Sequence, residues 1–138
     1  MKKSRIPNII IFVLVLVLIV FLLFGVYSEN KKIKETNVQM YNYLVCVNGC
    51  DISYNVDVGT LNVKSTFNDT CVGNCAEKIG ALQFRPGELD KGKLLMESNE
   101  YQECVRRLSS VGAESYKACV ESILPLFQEK YPEVKSKV

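Results

Sequence analysis

The chain has 138 residues, a formal net charge of +2, six cysteines, and neither histidine nor tryptophan. This length leaves room for one domain and an anchor, and the lack of histidine removes the commonest general base and imidazole metal ligand. Three of the 17 basic residues precede the N-terminal apolar run, so the remainder is nearly neutral and lacks the clustered basic face that nucleic-acid binding requires.

Residues 6–27 form an apolar run that predicts a transmembrane anchor. The run contains no charged residue, and as a helix it would cover about 33 Å, which matches a hydrocarbon core of about 30 Å. The alternative is a cleaved signal peptide with a cleavage site near Val26-Tyr27-Ser28, but the apolar stretch is longer than usual for one and Tyr27 is not small. The lipid bilayer is therefore an expected partner of residues 6–27.

The basic residues do not decide the orientation, because three lie on each side of the anchor. They are Lys2, Lys3 and Arg5 before it and Lys31, Lys32 and Lys34 after it. The cysteines favour an oxidising compartment, and Asn68-Asp69-Thr70 matches the N-glycosylation acceptor pattern, with Asn68 as the candidate site. We therefore predict a cytoplasmic N-terminus, residues 1–5, and a C-terminal domain on the oxidising side of the cell membrane or another envelope membrane.

Residues 28–36 are polar and rich in helix formers, so they predict either a juxtamembrane linker or a continuation of the anchor helix. Apolar residues then recur at helical spacing, which indicates an amphipathic helix to about Val47. Asn48-Gly49 is a turn signal that should end this helix near Cys50. The apolar positions are Ile33, Met40, Leu44 and Val47.

An alternation of apolar and polar residues predicts a β-hairpin over about residues 52–67. Gly59-Thr60 separates two alternating runs and is typical of a type II′ turn. An extended loop is the alternative reading. The apolar positions of the two runs are Ile52, Tyr54, Val56, Val58, Leu61, Val63 and Phe67.

Helical spacing returns after the hairpin and predicts a mainly α fold. Asn68-Asp69-Thr70 should cap a short helix that carries Val72, Cys75, Ala76, Ile79 and Leu82, and Arg85 to Gly92 should form a loop. A second helix should carry Leu94 and break at Gly112, and a third should carry Ala113 to Phe127, kinked or ended by Pro125. The extracytoplasmic domain is thus predicted over residues 37–131, followed by a flexible tail, residues 132–138.

The six cysteines predict a disulfide-stapled domain, because small domains outside the cytosol use disulfides to supplement a limited core. Cys46 and Cys50 lie four residues apart, as do Cys71 and Cys75, so each pair follows one side of its helix. In a hairpin centred near Gly59-Thr60, Cys46 lies opposite Cys75 and Cys50 lies opposite Cys71. Cys104 and Cys119 are equidistant from the break at Val111-Gly112. The expected disulfides are Cys46–Cys75, Cys50–Cys71 and Cys104–Cys119.

Two other uses of these cysteines remain open. A membrane-tethered redox protein would use a Cys-x3-Cys pair for thiol–disulfide exchange, and Cys71 lies near a predicted helix N-terminus that would lower its pKa. The three-residue spacing and the absence of an evident thioredoxin-like pattern count against this reading. A zinc-binding domain would use four thiolates, although an oxidising compartment opposes free thiols. Its ligands would be Cys46, Cys50, Cys71 and Cys75.

The remaining residues do not form a recognisable catalytic set. Ser109-Ser110 and the carboxylates Asp51, Asp57 and Asp69 lie in polar segments without a histidine partner, so a solvated surface is expected. We therefore expect no enzyme activity and no cofactor. The sequence favours a structural or protein-interaction module that meets a protein partner in a membrane or envelope complex.

Overall fold

The computed structural model describes residues 6–57, 59, 62–79 and 94–135. The fold is mainly α, as predicted, with one long apolar N-terminal helix, a small β-hairpin and three bonded cysteine pairs. The elements in chain order are α1 (Ile6–Asn48), β1 (Ile52–Asp57), β2 (Asn62–Phe67), α2 (Asp69–Ile79), a 3-10 helix (Leu95–Glu97), α3 (Asn99–Ser110), α4 (Ala113–Lys130) and α5 (Pro132–Lys135).

The chain divides into two compact units, and the first, Met1–Lys32, contains the apolar part of α1. Among the described residues, one helix is long and apolar enough to cross a membrane, and its apolar window has no residue buried within the protein. Exposing a large apolar side chain to water costs about 1.5–3 kcal/mol relative to burying it. A run of such side chains therefore needs an apolar surrounding, which a bilayer supplies.

The second unit, Ile33–Val138, begins inside α1. Residues 28–36 are helical, so the helix continuation is the alternative that the structure has. Neither glycine nor proline interrupts the sequence from Ser28 to Asn48, which is why nothing breaks the helix there. Within this unit, α1 buries one face at spacings of three and four residues. The buried residues are Ile33, Asn37, Met40, Tyr41, Leu44 and Val47.

The predicted hairpin is present as an antiparallel pair in which Tyr54 faces Ser65 and Val56 faces Val63. Side chains of alternate residues share a face of a strand, so these four residues lie on the same side of the sheet. The end of that face away from the turn packs on α4, where the rings of Phe67 and Tyr116 meet edge to face at 5.8 Å. The predicted type II′ turn involves Thr60, which lies outside the described residues.

The junction of α3 and α4 depends on a close approach between Gly112 and the hairpin. Gly112 has a φ of +121°, a conformation that residues with a Cβ avoid. A Cβ added there would lie 2.5 Å from the Oγ of Ser65. The same Oγ accepts a hydrogen bond from the backbone N–H of Glu114 at 3.2 Å. Because Gly112 has no side chain with which to cap α4, a serine from the hairpin supplies the cap.

One helix boundary differs from the sequence prediction, and one of the two alternatives for Pro125 is decided. The helix expected to carry Leu94 begins later, at Asn99, because the Oγ of Ser98 accepts the N–H of Tyr101 and caps the helix at that point. Pro125 lies inside α4 without ending it. Leu82 and the loop predicted for residues 85–92 lie outside the described residues.

The flexible tail predicted for residues 132–138 is wrong over its first part, because α5 occupies Pro132–Lys135 and buries Val134 in the core. The Oε1 of Glu133 accepts a hydrogen bond from the Nδ2 of Asn37 at 2.9 Å. The Oδ1 of Asn37 in turn accepts the backbone N–H of Leu95 at 2.9 Å. The buried side-chain amide of Asn37 thus links α1 by hydrogen bonds to both the 3-10 helix and α5.

Candidate functional site

The end of α1 and the first half of α2 are joined by two disulfides. Cys46 is bonded to Cys75 and Cys50 to Cys71, with Cα–Cα distances of 5.7 and 5.9 Å. The third disulfide joins Cys104 on α3 to Cys119 on α4. These are the pairs expected from the spacing, because each set of cysteines is equidistant from the turn that brings its two elements together.

The two disulfides of α1 and α2 form one group of sulfur atoms, which we call the four-sulfur cluster: Cys46, Cys50, Cys71 and Cys75. The Sγ atoms of Cys50 and Cys75 belong to different disulfides and lie 3.9 Å apart. Both of these residues are 1% exposed, whereas Cys46 and Cys71 are half-buried. The centre of the cluster is therefore sealed, while one sulfur of each disulfide lies nearer the solvent.

Cys71 lies in the first turn of α2, as the sequence predicted. The side chain of Asn68 caps this helix, because its Oδ1 accepts the backbone N–H of Cys71 at 3.1 Å. The N-terminal end of a helix carries a partial positive charge that stabilises a thiolate. The carboxylate of Asp69 in the same turn offsets part of this effect. Asn68 is exposed, and its glycosylation stays a prediction.

An open groove of about 650 Å³ runs beside the Cys46 end of the cluster. Its polar residues include two lysines, Lys34 and Lys78, and one carboxylate, Glu35. No pattern within one segment of the sequence predicts this groove, because it forms only when the two disulfides hold α2 against α1. The groove brings positive charge close to an accessible disulfide. Its lining residues are Lys34, Glu35, Val38, Gln39, Asn42, Cys46, Cys75 and Lys78.

The zinc alternative concerns the same four cysteines. The Sγ atoms of Cys50, Cys71 and Cys75 lie within 4.8 Å of one another, a spacing at which thiolates could share one ion. Zinc binds thiolates, and a sulfur held in a disulfide is not one. The oxidised arrangement therefore uses these sulfurs as staples, and a metal site would require their reduction.

The third disulfide lies in the same core cluster as the buried Tyr116, against which the half-buried Tyr101 packs. Burial raises the pKa of Tyr116 far above its ordinary value, and the neighbouring Tyr101 raises it further. Burial also raises the pKa of Tyr101, while its side-chain hydrogen bond with Tyr116 acts in the opposite direction.

The part of the hairpin toward its turn carries an exposed apolar surface together with Val111, which we call the hairpin patch: Tyr54, Val56, Val63 and Val111. These side chains are 56%, 59%, 61% and 66% exposed. Val56 and Val63 face each other across the strands, and Tyr54, Val63 and Val111 line a shallow groove of about 440 Å³ that Glu114 also borders. The alternation in the sequence predicted the hairpin but not this exposure, because the helices cover only the Phe67 end of the sheet face.

The fold and its cysteines define a class of protein: a small disulfide-bonded, mainly helical domain in a chain with a candidate membrane helix near its N-terminus. No protein-family model matches the sequence, and comparison with curated proteins and with solved structures finds no significant match. The four-sulfur cluster and the hairpin patch are the two features of the described residues that can indicate a function.

Proposed function

We propose that the protein is a single-pass, membrane-anchored extracytoplasmic module that binds another protein in a membrane or envelope complex. Residues 6–27 would span the bilayer, with the N-terminus in the cytoplasm and the domain on the oxidising side of the cell membrane or another envelope membrane. The role proposed for the domain is interaction, without enzyme activity or a cofactor.

The orientation is supported by the cysteines. All six lie C-terminal to the apolar segment and all six are bonded in pairs. Disulfides persist in oxidising compartments and are rare in the cytosol, where thiols are kept reduced. A domain that depends on three such bonds is best placed on the oxidising side.

The interaction role rests on the hairpin patch. Scattered apolar side chains are normal on a protein surface, but adjacent ones at the same site are typical of binding surfaces. Here three β-branched side chains and a tyrosine lie together beside the carboxylate of Glu114. The partner that fits is a protein segment whose apolar side chains cover the valines and whose basic residue meets Glu114. Aromatic residues at such a surface often supply much of the binding energy.

The hairpin is held in a way that suits a binding element. A two-stranded hairpin alone is marginally stable in water, but here Phe67 packs on Tyr116 and Ser65 is fixed against Gly112 and Glu114. The patch is thus presented on a backbone that loses little conformational freedom on binding, which lowers the cost of association.

The proposal is tested by comparing native complexes extracted from the membrane with a mild detergent. The wild-type protein should migrate in a complex larger than its own 15.6 kDa chain, and Val63→Asp should release it as the free chain, because a charge would be buried at the contact. Leu126→Asp is the matched control, since Leu126 is a similarly exposed apolar residue outside the patch. It should leave the complex intact.

Two results would count against the proposal. One is a complex that survives Val63→Asp as well as it survives Leu126→Asp. The other is co-isolation of two differently tagged copies through the patch, which would make the partner a second copy of this chain. A third variant tests the chemistry proposed for the partner. Glu114→Gln removes the carboxylate that would meet the partner's basic residue, so a weaker complex at low salt would support that contact.

A further inference from the structure

We propose that the four-sulfur cluster is a thiol–disulfide relay, in which a small anionic thiol reacts at Cys46 and a thiolate is released at Cys71. The relay passes through the buried sulfurs of Cys75 and Cys50. This activity goes beyond the interaction role and does not depend on it.

The central step is supported by the approach of two disulfides. Thiol–disulfide exchange requires a thiolate to reach a sulfur of a disulfide. The Sγ atoms of Cys50 and Cys75 are 3.9 Å apart and belong to different bonds, so a thiolate formed on Cys75 already lies beside its target. Both residues are almost completely buried. An external thiol is therefore kept from the centre, and the internal exchange has little competition.

The site of attack is assigned by the groove. Cys46 is half-buried and lines the groove of about 650 Å³ together with Cys75, Lys34 and Lys78. Two lysines beside a disulfide attract an anionic thiol and favour its thiolate form, which is the reactive one. The carboxylate of Glu35 in the same groove opposes this only in part, since the lysines outnumber it.

The direction of the relay is assigned by the leaving group. Exchange is faster when the departing thiol has a lower pKa, and the first turn of a helix lowers the pKa of a thiol. Cys71 lies in the first turn of α2 and is half-buried. Of the four sulfurs, it is the one that combines solvent access with a helix N-terminus.

The two steps balance without an oxidant. In the first, the incoming thiolate bonds to Cys46 Sγ, the Cys46–Cys75 bond breaks, and its electron pair remains on Cys75. In the second, the Cys75 thiolate bonds to Cys50 Sγ, the Cys50–Cys71 bond breaks, and the electron pair leaves on Cys71. The products are a mixed disulfide at Cys46, a new Cys50–Cys75 disulfide and a thiolate at Cys71.

The test uses the full-length protein in detergent, purified without reductant and treated briefly with reduced glutathione. Acid quenching, alkylation with N-ethylmaleimide and peptide mapping by mass spectrometry then locate every sulfur. The expected partial product carries glutathione on Cys46 and the alkyl group on Cys71, and it contains a Cys50–Cys75 crosslink. The Cys104–Cys119 bond is the internal control, because both residues are buried, and it should stay intact.

Two products would overturn the relay. One carries glutathione on Cys46 and the alkyl group on Cys75, with Cys50–Cys71 intact, which would show that the disulfides react separately. The other carries glutathione on Cys71, which would show that the incoming thiol attacks Cys71 and not Cys46. Replacing both lysines by Lys34→Gln and Lys78→Gln should slow the reaction with glutathione more than the reaction with 2-mercaptoethanol, which also reacts as a thiolate but carries no carboxylate groups. Equal slowing with both thiols would contradict the assigned groove.

Discussion

The backbone N–H of Glu114 donates to the Oγ of Ser65 across 49 residues of sequence, at 3.2 Å. A strand residue therefore does the work that an N-cap residue usually does from within its own helix. This bond ties the formation of α4 to the position of the hairpin, so the surface proposed for partner binding and the helical part of the domain stabilise each other.

Ser65→Ala should lower the free energy of unfolding by about 1 kcal/mol, the usual cost of losing an N-cap side chain. Ser109→Ala is the matched control, because the Ser109 hydroxyl donates only to the carbonyl of Arg106 in its own exposed turn, and it should change stability by less than about 0.5 kcal/mol. Urea denaturation of the oxidised domain measures both. Equal effects would mean that the Ser65 hydroxyl does not cap α4.

Gly112→Ala should destabilise the domain more than Ser65→Ala does. The alanine would be strained at a φ of +121° and a ψ of −175°, a region that is essentially confined to glycine and costs about 1–3 kcal/mol for other residues. Its Cβ would also lie 2.5 Å from Ser65 Oγ. The double variant removes the hydroxyl that the Cβ meets. Its destabilisation, measured in the same denaturation series, should be smaller than the combined effects of the single changes.

Asn37→Ala should cost about 1–3 kcal/mol, because it leaves the buried N–H of Leu95 without its acceptor. It also removes the donor that binds Glu133, so α5 should exchange its amide hydrogens faster. Asn42→Ala, at an exposed position of the same helix, controls for helix propensity. Urea midpoints measure the loss of stability, and hydrogen exchange measures the loss of protection in α5. If the exchange in α5 were unchanged, the hydrogen bond from Asn37 would not contribute to the stability of that helix.

The raised pKa of Tyr116 predicts a loss of stability at high pH. Below the unfolded-state pKa of about 10, both states hold the proton and the stability is fully present. Above it, the unfolded state loses the proton first and gains relative stability, so the free energy of unfolding falls as the pH rises toward the folded-state pKa. Tyr116→Phe should make this fall shallower. Short urea titrations at several pH values between about 9 and about 11 measure the slope.

Much of the fold follows from local pattern. The apolar run of residues 6–27, the alternation of residues 52–67 and the equal spacing of Cys46, Cys50, Cys71 and Cys75 each depend on a short stretch of chain, and the sequence analysis predicted the corresponding elements and the disulfide pairs. Equal spacing predicts disulfide pairs because two residues at the same distance from a turn lie opposite each other in the hairpin.

The features that the sequence did not predict depend on side chains from distant segments. Residues 132–135 are held against the domain by the burial of Val134 and by the hydrogen bond from Asn37, far away in sequence, to Glu133. The 3.9 Å approach of Cys50 and Cys75 depends on how two helices pack, and the exposure of Val63 depends on which part of the hairpin α4 covers. No periodicity within one segment carries this information.

The central claim is that the domain lies in an oxidising compartment with its sulfurs bonded to one another. The most direct test treats intact cells with N-ethylmaleimide before lysis and then maps the cysteines of the membrane-extracted protein without reduction. We predict no alkylated cysteine and three crosslinked pairs, Cys46–Cys75, Cys50–Cys71 and Cys104–Cys119. Alkylation of all six cysteines would contradict the account, since it would place free thiols, and with them the domain, on the reducing side of the membrane.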